Sequence, residues 1–465
     1  MSTEMNRREF LKGSALAVAA ATSGCATTNT GDDSAALSTR HQAPDTAPQA
    51  LIASAPALQN AAETSMGVAF AVNADASGWV EYSESPDLKD AVRVFSGEHG
   101  LMDVDNEIAL VRLTGLKPAT KYYYRIGADR IEFKGGYAMK NLGPEIDERI
   151  HSFTTLGKAA TGSFCVINDT HEQDSIVDVF NKVKELGPQA VVWNGDASNT
   201  SETRAAAIKV FVTNHGRTPG FSSDIPFMFL NGNHDFRGRY NRTLGGVAMF
   251  REPAERKSEY AELGRNFVQR LGDIALIGLD TGEDKRDTTA LFAGIFKMTP
   301  YREKQAKWLA EAIETPAVKT AKFKVAFCHI PIFDPRPDAN PGDLAPADTA
   351  PGYKSNYAAW QRACANLWGP LFEKAGVQLV VTGHQHRFRY DPPAPGRSWT
   401  QIVGGGPECG EYKRWKKDGG FDVFKDPTKF PTVIEGKVED GKLVVIVHDV
   451  FNGRIVGRYD FLPTA

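Results

Sequence analysis

Pro226-Phe227-Met228-Phe229-Leu230-Asn231-Gly232-Asn233-His234-Asp235 joins an apolar run of strand character to a polar turn. Composition predicts the closing tetrapeptide by chance in roughly one chain in a thousand of this length. Asn233 offers a neutral amide oxygen to a cation, and His234 would stand beside that cation without necessarily binding it. We expect Asp235 to orient His234 from behind. The stretch therefore predicts a strand that ends at a functional site.

Four further strings repeat this arrangement, each after an apolar run of strand character, and half of the ten histidines lie in the five strings. They are Asp169-Thr170-His171, Gly195-Asp196, Ala326-Phe327-Cys328-His329 and Gly383-His384-Gln385-His386. Because strand ends can aim side chains into one crevice of a sheet, we expect the strings to converge. Carboxylate, amide and imidazole donors suit Mn, Fe, Zn and Co alike, so the strings predict a two-metal site of unspecified metal identity.

The composition is that of an ordinary globular protein of two or three domains. The 465 residues are 42% hydrophobic and 24% charged, with a net charge of −3. The basic run Lys413–Lys417 is short and isolated, which favours a solvated loop over a nucleic-acid patch. We therefore expect no clear nucleic-acid surface.

Residues 1–25 read as an export signal, because a basic segment precedes an Ala-rich apolar stretch. Arg7-Arg8 followed by Phe10-Leu11-Lys12 resembles a twin-arginine signal, although Asn6 stands where Ser or Thr is usual. Thr22-Ser23-Gly24-Cys25 resembles a lipoprotein processing site in which Cys25 is acylated, with Thr22 in place of Leu. The alternative is a cysteine of a discarded peptide. We expect twin-arginine export to the periplasm or cell envelope, a membrane tether through Cys25, and no transmembrane span in the mature chain.

The next two segments differ sharply in composition and in hydrophobic pattern. Residues 26–50 are rich in Thr, Ser, Asp, Ala and Pro, which is typical of a flexible linker. Residues 51–157 contain short alternating runs separated by turn residues, which predicts a β-sandwich. Leu116–Ile126 resembles the fibronectin type III pattern, with Tyr122 as its tyrosine corner and His151–Thr155 as the last strand.

Residues 160–465 alternate apolar strands with helical segments, which predicts an α/β domain. Strands are expected at 164–168, 190–194, 227–230, 274–279, 324–328 and 377–382, and helices at 175–186, 302–313 and 357–375. Later short runs, at 400–403, 432–437, 443–448 and 458–461, suit a second sheet that closes the domain. Cys165, Cys328, Cys364 and Cys409 leave open whether any pair forms a disulfide, since spacing alone does not decide it.

The five strings in this order resemble the calcineurin-like metallophosphoesterase superfamily, over roughly Ser163 to Ile402 and including the glycine loop Val403–Gly406. The resemblance implies a four-layer αββα domain. It assigns Asp169, His171 and His386 to one metal and Asn233, His329 and His384 to the other, with Asp196 bridging them. It also implies that a hydroxide between ions roughly 3.5–4 Å apart attacks phosphorus in line. His234 would assist the leaving oxygen as a general acid or positive hydrogen-bond donor.

The order of a fibronectin type III-like sandwich followed by this domain resembles the purple acid phosphatases. Two positions depart from that pattern. Purple enzymes carry Gly in place of His171, and a metal-binding Tyr three residues after the bridging aspartate, where this chain has Asn199. Without a tyrosinate ligand we expect a colourless enzyme, or one that lacks the purple band, even with iron bound.

These expectations describe an exported metal-dependent phosphoester hydrolase with two divalent or trivalent metal ions and a small phosphoester substrate. The fibronectin-like domain favours phosphomonoesters by analogy. The alternatives are a phosphodiesterase acting on small diesters or nucleotides at the same site, and a surface binding or adhesion protein on a scaffold without turnover. Arg237 and Arg239 are candidate substrate residues, because a guanidinium can grip phosphate oxygens in pairs.

Overall fold

The computed structural model describes residues 49–464 apart from residues 161, 251–257, 288, 290–293, 336–352 and 417–419. The predicted signal and most of the predicted linker lie outside the described residues. Residues from Gln49 onward form a single compact unit. Its architecture follows from two large sheets and a smaller one.

The strands before the first helix are β1 (Ala57–Gln59), β2 (Ser65–Ala71), β3 (Ala76–Ser83), β4 (Val92–Phe95), β5 (Gly97–Glu98), β6 (Leu101–Met102), β7 (Ile108–Thr114), β8 (Lys121–Phe133), β9 (Met139–Ile146), β10 (His151–Thr154) and β11 (Ser163–Ile167). The later strands are β12 (Ala190–Asn194), β13 (Phe227–Leu230), β14 (Phe267–Leu271), β15 (Ile274–Leu279), β16 (Phe323–Cys328), β17 (Leu379–Thr382), β18 (Arg389–Asp391), β19 (Thr400–Val403), β20 (Glu411–Trp415), β21 (Phe421–Lys425), β22 (Thr432–Glu439), β23 (Lys442–Asp449) and β24 (Arg454–Phe461). The helices are α1 (Ile176–Leu186), α2 (Arg204–Phe211), α3 (Met298–Ala312), α4 (Pro316–Lys319) and α5 (Tyr353–Ala375).

Two sheets pack face to face at the centre of the molecule. The first has the order β24-β23-β22-β11-β12-β13-β1-β2-β7, and the second has the order β14-β15-β16-β17-β19-β18. Apolar side chains from both sheets form one continuous core between them. Within it the rings of Phe164 and Phe327 meet edge to face, with centroids 5.7 Å apart. Strands covered on both faces need apolar residues throughout, which explains the continuous rather than alternating apolar runs.

Helices cover the outer face of each sheet. On the first sheet, α1 buries Ile176, Val179, Phe180 and Val183 at helical spacing, and it ends where Gly187 adopts φ +58°. On the second sheet, buried side chains of α3 and α5 pack against β15, β16 and β17. The predicted four-layer αββα architecture is therefore confirmed.

The N-terminal sandwich is also confirmed, but it shares a sheet with the α/β part of the molecule. One of its layers is β1-β2-β7, which belongs to the first large sheet, and the other is β10-β8-β3-β4 with β9 beside β8. β1 pairs in parallel with β13 through Gln59 and Phe227. The hydroxyl of Tyr122 accepts from the Lys117 backbone N–H at 2.9 Å, which is the predicted tyrosine corner. The boundary at residues 157–160 falls between β10 and β11 and stays a prediction.

One expectation about the C-terminal strands was wrong. β22, β23 and β24 do not close the domain as a second sheet, because β22 pairs antiparallel with β11 and extends the first sheet. The predicted run Thr400–Val403 differs from these three strands, because it joins the second sheet as β19 beside β17. Strand character is local, whereas the choice of partner depends on which sheet edge is open. Apolar runs alone could not decide it.

Two further features bear on the export predictions. Among the helices of the described residues, none combines the length and the apolarity needed to cross a membrane. The four cysteines of the described chain are free thiols, and Cys165, Cys328 and Cys364 are buried.

Candidate metal centre

The five sequence strings meet at the carboxyl ends of strands from both large sheets. β11, β12 and β13 run parallel in the first sheet, and β15, β16 and β17 run parallel in the second. The candidate side chains follow five of these strands directly: Asp169 and His171 after β11, Asp196 after β12, Asn233 after β13, His329 after β16, and His384 and His386 after β17. The parallel strand ends of a sheet share one edge, so the topology brings the strings together.

The turns that carry these side chains are tight and strained. Five of the seven candidate ligands have positive φ, a region that non-glycine residues seldom adopt: Asp169, His171, Asp196, His384 and His386. Such strain persists only where surrounding structure imposes it, and it concentrates at functional sites.

Glycines in the strings allow backbone to lie against the candidate ligands. A Cβ on Gly232 would lie 2.2 Å from Oδ1 of Asp196, and one on Gly383 would lie 2.4 Å from Oδ2 of Asp169. A Cβ on Gly195, where φ is +87°, would lie 2.4 Å from the His329 ring. Each glycine is therefore required by close approach.

The first group of donors consists of Asp169, His171, Asp196 and His386, whose ligand atoms all lie within 4.8 Å of one another. Nε2 of His171 is 2.9 Å from Nε2 of His386 and 3.5 Å from Oδ2 of Asp196. Nε2 of His386 is 3.4 Å from Oδ1 of Asp169. Two imidazoles and two carboxylates thus face one point.

The second group consists of Asp196, His329 and His384, again within 4.8 Å. Nε2 of His329 lies 3.2 Å from Oδ2 of Asp196, and Nδ1 of His384 lies 2.8 Å from Oδ1 of Asn233. Asp196 belongs to both groups. A carboxylate has two oxygens, so this position suits a bridge between two cations.

The histidines are oriented by groups on their far sides. Nδ1 of His171 contacts Oδ1 of Asn199 at 3.1 Å, and Nδ1 of His386 contacts Oε1 of Glu408 at 2.8 Å. Nδ1 of His329 contacts the backbone oxygen of Asn194 at 2.8 Å. Metal-binding histidines characteristically donate their second N–H in this way, which points Nε2 at the metal.

These residues fit a metal pair. Nε2 of the fully buried His329 points into the centre, 3.2 Å from Oδ2 of Asp196, but it makes no well-aligned hydrogen bond with any described residue. The donor set of two carboxylates, four imidazoles and one amide suits first-row transition metals. The pattern of outer contacts leaves the inward nitrogens of His171, His329 and His386 available for coordination.

The electrostatics of the centre follow from its two buried carboxylates. Although burial opposes the shift, Asp169 and Glu408 raise the pKa of His386 to about 10. Burial likewise opposes protonation of His329, but Asp196 and Asp169 raise its pKa to about 9. The carboxylates thus draw positive charge into the centre, which is the charge that cations would supply.

His234 lies at the mouth of the centre beside an arginine. Its backbone N–H donates to Oδ1 of Asp196 at 2.8 Å, and its Nδ1 lies 3.2 Å from the backbone oxygen of Asn199. Nη1 of Arg237 lies 2.9 Å from its Nε2. Because the guanidinium can only donate, Nε2 accepts and Nδ1 carries the proton. Burial, above all, lowers the pKa of His234 to about 4.

Asp235 does not contact His234 in the way the sequence suggested. Its carboxylate accepts from the backbone N–H groups of Gly232 (2.9 Å) and Ser198 (3.0 Å), and from the Ser198 hydroxyl (3.1 Å). The expectation that it orients His234 is therefore corrected. The short turn at His234–Phe236 directs the buried carboxylate backward, where it ties two site loops together.

An acidic pair that the sequence reading missed stands behind Arg237. Glu283 and Asp284 follow β15, and their side chains are each 1% exposed. Both Glu283 oxygens lie 3.3 Å from nitrogens of Arg237, and Oδ2 of Asp284 lies 3.9 Å from Nε2 of His384. Their position at the end of a parallel strand was the available signal. Arg239, by contrast, is exposed on the surface.

Comparisons with known families agree with this geometry. Residues 162–388 match the calcineurin-like phosphoesterase family, and residues 54–140 match the purple acid phosphatase N-terminal domain. Residues 4–24 match the twin-arginine translocation signal, so export by that pathway is supported. No curated protein sequence matches the chain.

Two solved structures share the fold. A purple acid phosphatase from yellow lupin (Lupinus luteus) seeds has a TM-score of 0.57 and 14% identity, covering 88% of this chain and 74% of its own. PhoD has a TM-score of 0.52 and 12% identity, covering 88% of this chain and 92% of its own. At these identities the similarity establishes the architecture only.

Taken together, the matched families and the fold show that this chain carries a calcineurin-like phosphoesterase domain behind a purple acid phosphatase N-terminal domain and is a metal-dependent phosphoesterase.

Proposed function

We propose that the protein is an exported phosphomonoesterase whose centre binds two metal ions. The observation that carries this proposal is the membership of Asp196 in both donor groups. In the proposal, Asp169, His171 and His386 hold one ion, Asn233, His329 and His384 hold the other, and Asp196 bridges them. Mn, Fe, Zn or Co would suit the mixed donors. When bound, the two ions would supply Lewis-acid activation of water and of the phosphoryl group.

His234 and Arg237 are proposed to act on the substrate side of the centre. Arg237 now donates to Nε2 of His234, and a phosphate oxygen would compete for the same guanidinium N–H. The negative charge of the phosphoester beside His234 would favour its protonated form, so that it can donate to the leaving oxygen. Glu283 holds the guanidinium in place from behind.

Asp235 is proposed to serve catalysis by positioning. By joining the turn at Gly232 to Ser198, its carboxylate holds Asn233 and Asp196 at a constant separation. Arg239 stays a weaker candidate for substrate binding, because it is exposed and its backbone, rather than its guanidinium, contacts Glu202.

The preference for monoesters rests on the N-terminal domain. It matches the purple acid phosphatase N-terminal family, and we extend that similarity to the substrate class. We further propose that Cys25 is acylated and tethers the protein to the membrane, which would make it a periplasmic or cell-envelope lipoprotein. The matched signal ends at residue 24, directly before this cysteine. The net charge of −3 gives no reason to propose a nucleic-acid substrate.

A panel of aryl phosphate monoesters and diesters tests the proposal, with Mn, Zn or Fe added to the exported protein and its metal content measured. We expect monoesters to be turned over faster than diesters. Asp196→Asn should lower turnover by about 10³-fold or more, because it removes one charge from both ion sites. Asp174→Asn, whose side chain is 93% exposed, is the control and should match the wild type.

Faster turnover of diesters would contradict the substrate class while leaving the metal site intact. Absence of turnover of either ester, with no metal found by elemental analysis, would instead favour a binding or adhesion protein.

A further inference from the structure

At one end of the sandwich, the first described residues and two hairpins hydrogen-bond to the same turn. Residues 73–76, which link β2 to β3, hydrogen-bond Leu51 at the start of the described chain (3.0 Å). The same turn bonds Ile131 near the end of β8 (2.8 Å) and Asp105 after β6 (2.8 Å). We call this region the hairpin end. The hairpin of β5 and β6 and the hairpin of β8 and β9 both extend outward from it.

The two hairpins carry large apolar side chains that face solvent. On the first, Leu101 is 73% exposed and Met102 is 59% exposed. On the second, Phe133 is 49%, Met139 is 63% and Tyr137 is fully exposed. Single exposed apolar residues are ordinary, but these five lie on two hairpins that extend from one turn, and we call them the patch. Exposed apolar groups of this kind mark interaction surfaces.

The charges of the patch point to an interfacial rather than an electrostatic partner. The formal charges of residues 97–104 and 130–140 cancel: Glu98, Asp103 and Glu132 against Arg130, Lys134 and Lys140. Lys134 and Lys140 stand three residues before and three residues after Tyr137 in the sequence. Long lysine stems can lie along apolar surface while their ammonium groups stay in water. Tyrosine is itself enriched at the boundary between lipid and water.

If Cys25 is acylated, as proposed above, the covalent chain limits the distance between the hairpin end and the membrane. Residues 26–48 separate Cys25, the proposed acylation site, from Gln49. A segment of that length spans at most about 80 Å even when fully extended. It joins the folded body at the hairpin end, because Ala50 and Leu51 bond to Asn73. An acyl anchor would therefore keep the hairpin end within this distance of the bilayer.

We infer that the β5–β6 and β8–β9 hairpins dock on the surface of a lipid bilayer, as a second membrane contact additional to the anchor at Cys25. The apolar tips enter the headgroup boundary, and the lysines remain at its aqueous side. Because the local charges cancel, docking is as strong on neutral as on anionic lipids and changes little with salt.

Vesicle flotation of the mature chain without its acyl group tests the docking. Residues 26–465 are exported behind an exchanged, cleavable signal and mixed with vesicles of phosphatidylcholine, with or without phosphatidylglycerol. The hairpin variant combines Leu101→Ser, Met102→Ser, Tyr137→Ser and Met139→Ser. We expect its vesicle partition coefficient to fall at least about tenfold from the wild type, given the apolar area removed.

A matched control carries Phe451→Ser and Ile455→Ser. Phe451 and Ile455 are each 60% exposed, but they lie at the turn between β23 and β24 rather than on the two hairpins. It should bind vesicles like the wild type. Both variants should turn over a soluble monoester at the wild-type rate, which shows that they are folded. If the wild type turns over no ester, an unchanged melting temperature serves the same purpose.

Three results would overturn the inference. The wild-type chain without its acyl group would fail to float with vesicles, or the hairpin and control variants would lose binding equally. The third is a wild-type dimer in light scattering that the hairpin variant abolishes without any change in vesicle binding, which would assign the patch to a second copy of the chain.

Discussion

Of the three groups that orient candidate ligand histidines through Nδ1, Glu408 alone carries a formal charge. Asn199 contributes an amide oxygen and Asn194 a backbone carbonyl, whereas Glu408 places a carboxylate 2.8 Å from His386. A carboxylate behind an imidazole increases the basicity of the opposite nitrogen and fixes its direction. Glu408 should therefore strengthen the binding of the ion at His386 without contacting that ion.

Glu408→Ala is expected to weaken the affinity for one of the two proposed metal ions by about 10–100-fold. Glu408→Gln should recover part of this loss, because its amide oxygen can still accept from the imidazole. Calorimetric titration of metal-depleted protein measures both steps separately. The control is Glu411→Ala at a nearby exposed position. Equal affinity in wild type and Glu408→Ala would remove Glu408 from the site.

Glu435 provides a pH-dependent contribution to stability away from the centre. Its hydrogen bond with His448 (3.0 Å) is the largest cause that lowers the pKa of Glu435 from its ordinary value of 4.5. A lowered pKa means that the folded state favours the ionised form. This stabilisation is thus present above pH 4.5 and is lost as the pH falls through the folded-state pKa.

Glu435→Gln should lower the free energy of unfolding by about 1 kcal/mol at neutral pH and by less in acid. Urea unfolding of the wild type and the variant across the acid range measures the difference. Glu439→Gln on the same strand, whose side chain is 41% exposed, should show almost no such difference. A Glu435→Gln effect that is constant with pH would contradict the assignment.

At the scale of single elements, three of the five strings end their strand in a turn whose glycine leaves room for an adjacent ligand. Gly383 is the clearest example. The N–H of the next residue, His384, donates to both oxygens of Asp169 at 2.8 and 3.0 Å. A methyl group on Gly383 would meet one of those oxygens at 2.4 Å. The turn and the carboxylate are thus in direct contact, with no room for a side chain between them.

Gly383→Ala should displace the Asp169 carboxylate and reduce bound metal to well below one equivalent per site, while the protein stays folded. Inductively coupled plasma analysis, with circular dichroism for folding, measures the two effects. Gly369→Ala is the control, because nothing lies within 4 Å of its Cβ position inside α5. That control should keep both its metal and its fold.

Element boundaries were largely readable from the sequence. The strands at 190–194, 227–230, 274–279 and 400–403 have the expected limits, since each is an apolar run bounded by turn residues. β14 and α2 were missed. The α2 helix is only eight residues long, and β14 contains the polar pair Gln269 and Arg270, whose burial depends on tertiary contacts.

At the scale of the whole molecule, the sandwich and the phosphoesterase half are joined through one sheet. Asn60 closes this joint. Its side chain accepts from the Phe229 backbone N–H at 3.0 Å and donates to the Met249 backbone oxygen at 2.8 Å. Asn60 also adopts φ +48°, which asparagine tolerates better than most residues. A shared sheet couples the two halves, so we expect them to unfold together.

Asn60→Gly should destabilise the whole unit by about 2–3 kcal/mol, because it leaves a buried N–H of β13 without its partner while glycine still allows positive φ. Scanning calorimetry of the metal-free protein should show one transition that moves as a whole. Asn141→Gly, at an exposed side chain with two hydrogen bonds inside the sandwich, should cost less than about 1 kcal/mol. Two transitions, with only one shifted, would show that the halves unfold independently.

The amino-acid sequence by itself determined the family, the export signal, and the order of a β-rich part followed by an α/β part. It also determined the seven side chains that converge. Those properties reside in local patterns: apolar runs, glycine turns and donor residues at strand ends. Only the tertiary structure decided that β22 joins β11, that β1 extends the sheet of β13, and that Asp235 faces Ser198 rather than His234. It also supplied Glu283 and Glu408. Each of these depends on contacts between residues far apart in the chain, which local patterns do not encode.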